Sequence, residues 1–153
     1  MRPIRMKKPE ISENVLARLR DDLASRRIAS GIDWLESHRS LLPSLDPSQK
    51  NAAAFLGYLA QWVDIGFDQP LLVKELLSRF PQSLRVALPL SDYLQVRMAE
   101  GLVAMSAEDF ESAIRHFETV LSFENEIQDK EPMAIANFWI GRCQRRMGRS
   151  TAL

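Results

Sequence analysis

Apolar residues recur at intervals of three and four along nearly the whole chain, and no sustained run alternates apolar and polar residues strictly. The first spacing lines one face of a helix, whereas strict alternation would line one face of a strand. The pattern therefore predicts an all-α fold. Prolines and short polar clusters punctuate it: Pro43 and Pro47 in LLPSLDPSQ, Pro70, Pro81, Pro89 and Pro132. Each breaks a helix or starts a new one. The segments between them predict seven helices, at 11–26, 28–41, 49–65, 70–80, 91–106, 108–127 and 132–148. Ser91 and the stretch from Ser106 to Asp109 have the short oxygen-bearing side chains that cap a first turn. Short linkers predict antiparallel neighbours.

Bulk properties narrow the function classes. With 46% hydrophobic and 26% charged residues, the 153-residue chain supports one sizeable core or one short stack of units. Twenty basic side chains balance twenty acidic ones, so no global field draws it to nucleic acid or an anionic membrane. Cys143 is the only cysteine, which excludes an intrachain disulfide and a cysteine metal cluster and fits a reducing compartment. The opening MRPIRMKKPE is basic but has no apolar run behind it, and no window approaches a membrane span. A cytoplasmic protein is expected, with one domain over 11–148, a basic tail over 1–10 and a short tail over 149–153.

The region from 91 to 148 has a more specific pattern. Ala113 follows Gly101 by twelve residues and Phe117 follows Ala113 by four, with Asp109-Phe110-Glu111 between. Leu56-Gly57 stands twenty-four residues before Pro81, Ile140-Gly141 precedes Gly148 by seven, and Gly31, Leu35 and Pro43 keep gaps of four and eight. In these spacings the chain resembles the tetratricopeptide repeat family, as a degenerate array whose frames lie about 38, 44 and 40 residues apart instead of about 34. No unit has the complete signature, and Val120 stands where a small alanine is usual. The resemblance implies a right-handed α-solenoid of antiparallel helix pairs. Gly101, Ala113 and Gly141 would let backbones approach, and Phe117 would fill the space between units. A non-repeat helical bundle is the competing architecture.

In such an array the first helices line a concave groove. The matching positions are Asn51, Tyr58, Gln61 and Trp62, then Gln95, Met98, Leu102 and Met105, then Phe138, Arg142 and Arg145. The resemblance thus implies a groove that is apolar and aromatic at one end and basic at the other, although its apolar members suit a core equally well. The lysines and asparagines with which some family members grip a terminal carboxylate are absent, Met98 and Leu102 standing at one such pair. An arginine-bearing groove suits an acidic or phosphorylated peptide instead. The last helix is a first helix without its partner, which would leave Ile135, Trp139 and Cys143 partly uncovered. It would cap the array, pair with another chain in a homodimer, or continue into a longer protein.

Catalytic and metal motifs are missing: the sequence has no glycine-rich phosphate loop, His-Glu-x-x-His, Cys-x-x-Cys or Gly-x-Ser-x-Gly elbow. His38 reads as an inter-helix packing residue in the repeat frame and His116 as a partly exposed surface one. Glu124, Glu126, Asp129 and Glu131 lack the spacing that converges oxygens on calcium and read as a solvated helix end. Arg142, Arg145, Arg146 and Arg149 form a basic run in which the first three lie within about one turn of one helix, yet no helix-turn-helix pair accompanies them, so direct nucleic-acid binding is not expected. No cofactor is implied. The sequence favours a non-catalytic module that binds a protein or peptide. A regulatory N-terminal part of a larger bacterial-style transcription or signalling protein is a narrower version, and a small α-helical ligand-binding bundle or enzyme is the alternative.

Overall fold

The computed structural model describes residues 13–39, 42 and 45–151, and all its regular elements are helical. In order they are α1 (Glu13–Ala24), α2 (Ile28–Ser37), α3 (Ala52–Ile65), α4 (Pro70–Ser78), α5 (Gln82–Arg85), α6 (Leu90–Ser106), α7 (Phe110–Leu121) and α8 (Glu131–Thr151). Pro43 and the tail over 1–10 lie outside the described residues. The helix beyond the expected seven is α5, a single turn that Pro81 starts from an extended conformation. Pro70 occupies the first turn of α4, where its missing N–H costs nothing.

Several boundaries differ from expectation for local reasons. Pro89 stands at the N-cap of α6, so Ser91 lies inside the first turn and caps nothing. Asp109 does cap α7, its side chain accepting the Ser112 N–H at 3.3 Å. The segment expected to run to 127 stops at Leu121 and gives way to a 3-10 turn at Glu124–Glu126. The last helix passes 148 and continues to Thr151.

The long helix α6 is the hub, packing on α3, α4, α7 and α8, while α1 packs on α2 and α3, α3 on α4, and α7 on α8. Two glycines admit aromatic rings from the neighbouring helix. A Cβ on Gly31 of α2 would overlap the Trp62 ring, and one on Gly101 of α6 would overlap the Phe117 ring. Trp62 is fully buried and donates its indole N–H to the Leu19 carbonyl at 3.3 Å, tying α3 to α1 as well as α2. Ala113, Phe117 and Val120 are fully buried on α7. Gly141 plays no comparable part, since the nearest atom to an added Cβ there is the Arg145 guanidinium at 3.4 Å.

Two expectations about side chains change with this packing, for the last helix and for His38, while His116 is partly exposed as expected. Trp139 and Cys143 are buried because α7 and α6 cover one face of α8, leaving Ile135 half-buried. His38 stacks on Trp34 of its own helix, with ring centroids 4.3 Å apart. His116 is half-buried, its Nδ1 3.7 Å from Glu100, which also pairs with Arg85 and Arg97. Burial, opposed by Glu100, holds the His116 pKa below its ordinary value.

Denaturant melts test the glycine contacts. Phe117→Ala is expected to cost about 3–5 kcal/mol and Gly101→Ala about 1–3 kcal/mol through overpacking. Gly148→Ala should stabilise α8 by about 0.5–1 kcal/mol, since a Cβ there meets nothing within 4 Å.

Candidate binding groove

The expected binding residues separate into two sets. Trp62, Met98, Leu102 and Met105 are at most 2% exposed and belong to the core. The reason is that α3 and α6 are covered on most sides, so positions that would face a groove on a peripheral helix face another helix here. Gln95 is half-buried against α3, its side chain filling the place that a Cβ on Gly57 would take. Asn51 stands at the N-cap of α3 in the left-handed conformation, with φ 72°. Arg145 is exposed on α8 and lies outside the groove lining.

Tyr58, Gln61, Phe138 and Arg142 meet in one groove of about 620 Å³. Its floor is α3, through Tyr58, Gln61, Asp64 and Ile65, which recur at helical spacing on one face. One wall is α1 and the turn after it, with Arg20, Leu23, Ala24 and Arg26; Ile28 begins α2. The other is a stripe along α8, from Glu131 through Ile135 and Phe138 to Arg142. Phe138 is 49% exposed, unusual for so large an apolar side chain, and its ring meets Trp139 edge-on at 4.9 Å.

Electrostatics organise both ends. Asp64 sits in the last turn of α3, where the helix dipole disfavours a carboxylate. Two arginines of α8 compensate: Arg142 Nε and Arg146 each approach an Asp64 oxygen at 2.9 Å. The Arg142 guanidinium also lies 5.9 Å from the Trp139 ring centroid. At the opposite end the Tyr58 hydroxyl donates to Glu131 at 3.1 Å. Burial first, and the Glu131 charge second, push the Tyr58 pKa up to about 12. The phenol therefore serves as a neutral hydrogen-bonding group.

Within the groove lining, four polar atoms are buried without a hydrogen bond; Arg142 Nε and Asp64 Oδ2 have each other as ionic partners, and the other two have none. Those two are the Gln61 amide Nε2, on a residue 7% exposed, and the Trp139 indole Nε1. A second cavity, of about 690 Å³, lies beyond Asp64 and Ile65, which wall both spaces, and includes Asp68, Glu108, Phe110 and Arg146.

Arg20, Asp64 and Ile135 were not singled out as binding residues by the spacing argument, and Glu131 read only as part of a solvated cluster. Asp64 did carry a signal, being an acid that closes an otherwise apolar helix against its dipole. Arg20 carried none, because nothing local says which face of α1 meets the groove.

No helix among the described residues is long and apolar enough to cross a membrane. Compared with models of known protein families, with curated proteins and with solved structures, the chain matches none.

Two measurements probe the ends of the groove. Asp64→Ala should cost about 1–3 kcal/mol, the worth of charged hydrogen bonds, while exposed Arg145→Ala stays within about 0.5 kcal/mol. Tyr58 titrates higher in the folded chain, so its contribution is complete below its unfolded value of 10.0 and is lost as pH rises towards about 12. Tyr58→Phe should flatten the loss of stability over that alkaline window.

Proposed function

We propose that the chain is a non-catalytic helical-repeat module, similar to a degenerate tetratricopeptide array, that binds a protein or peptide segment in the groove between α1, α3 and α8. The observation that carries this reading is the groove itself, an apolar and aromatic trough with a half-exposed Phe138 inside it and arginines at its margin. Exposed aromatics and arginines are the side chains that supply most interface energy. The array is supported by the order of packing, in which α6 contacts the preceding α3 and α4 and the following α7 and α8.

Charge makes the expected partner acidic. Both carboxylates of the groove are already engaged, Asp64 by two arginines and Glu131 by Tyr58. Among the described residues Arg20 has its ion pair with the exposed neighbour Asp21 at 3.5 Å and a weaker interaction with the Glu131 charge, and Arg26 is exposed. Positive charge is therefore what the groove has left to offer. The volume of about 620 Å³ also falls in the range of small-molecule sites, which favours a ligand-sensing regulatory domain as the second reading.

Affinity capture on the immobilised chain separates these readings. A protein partner held by the wild type should be lost at least tenfold, or about 1.4 kcal/mol, by Phe138→Ala and by Arg142→Gln, both with melting temperatures near wild type. Equal recovery by all three chains would place the binding surface elsewhere. A small molecule carried by the purified chain and released by Phe138→Ala would favour the second reading.

A further inference from the structure

Two donors in the groove with neither a hydrogen bond nor an ionic partner restrict the shape of what it holds. Gln61 Nε2 and Trp139 Nε1 are buried without partners, although buried polar groups in folded proteins are nearly always paired. Leaving them so costs the free chain stability, which an occupant with acceptors recovers on binding. The terminal torsion of a glutamine is soft, so the Gln61 amide can turn towards the groove without disturbing α3.

A helical occupant is poorly suited to this floor. Its carbonyls are consumed by its own i to i−4 bonds, leaving acceptors only at its last turn. An extended segment presents a free carbonyl on every residue and alternates its side chains between two faces. One face would lie on Ile135 and Phe138, and acidic side chains would reach Arg20, Arg26 and Arg142 at the margin. Among the described residues the Arg26 guanidinium has no hydrogen-bonding or ionic partner, and Arg142 meets Asp64 through its Nε while its guanidinium lies by the Trp139 ring. The chain's own MRPIRMKKPE has the wrong charge for such a margin.

Resting on the peptide-binding reading above, we propose that the groove takes an extended acidic segment of a partner protein, and that Gln61 reads its main-chain carbonyls, with Trp139 as the second donor.

Gln61→Leu tests this because its two expected effects have opposite signs. Removing an unsatisfied buried amide should raise the melting temperature, whereas loss of the carbonyl contact should weaken binding tenfold or more. A residue with a merely structural role would move both in the same direction. The probe is a peptide selected from a random twelve-residue library on the full chain, measured by fluorescence anisotropy and by the emission of Trp139 against Trp139→Phe. Expected are selected peptides rich in Asp and Glu around an apolar residue. Replacing one backbone amide of the peptide by an ester, which weakens the preceding carbonyl as an acceptor, should lower wild-type affinity and leave the Gln61→Leu chain indifferent. Peptides that bind Gln61→Leu as tightly as wild type, that bind as helices, or that lack acidic residues would overturn the inference while leaving the groove as the site. Selection of no peptide, or of peptides indifferent to Phe138→Ala and Arg142→Gln, would overturn the peptide-binding reading itself.

Discussion

The fold depends on two places where an aromatic ring occupies the space of a missing side chain. Trp62 fills the position a Cβ would take on Gly31, and Phe117 does the same at Gly101. Dense packing makes such contacts intolerant of even one added carbon. The first seats α2 on α3 while the Trp62 indole N–H binds α1. The second seats α7 on α6, and α7 in turn supports α8. Both walls of the groove are thereby placed by rings that never touch its interior.

How much of this could be read from the sequence follows the geometry of each contact. Gly101, Ala113 and Phe117 were legible because α6 and α7 are consecutive and their partners keep a fixed interval. The helical class was legible from periodicity alone. What periodicity could not provide was the role of Trp62, Met98, Leu102 and Met105. A helix enclosed on several sides is apolar around most of its circumference, so no stripe distinguishes groove from core. Nearly all of α3 from Ala52 to Trp62 is buried, Ala54 being the partial exception. The ion pairs of Asp64 join residues far apart in the chain, 82 positions in the case of Arg146, and no local rule connects them.

In the proposed binding role, the groove would combine two unlike recognition chemistries. Its centre has neutral donors, the amide of Gln61 and the indole of Trp139. Its margins have arginines, whose charge acts at longer range and weakens with salt. Such a division lets charge hasten encounter while short-range contacts decide what stays bound.

Asp64 gives one corner of the groove redundancy. Because two arginines from adjacent turns of α8 hold separate oxygens of one carboxylate, removing either leaves the charge still partnered. Energetic losses at such a three-body contact do not sum, since each arginine is worth more once the other is gone. The junction between α3 and α8 can therefore drift at either arginine position and retain its form, whereas change at the single acid breaks both ion pairs at once. Sequence variation at this corner should be lopsided, permissive on the basic side and strict on the acidic one.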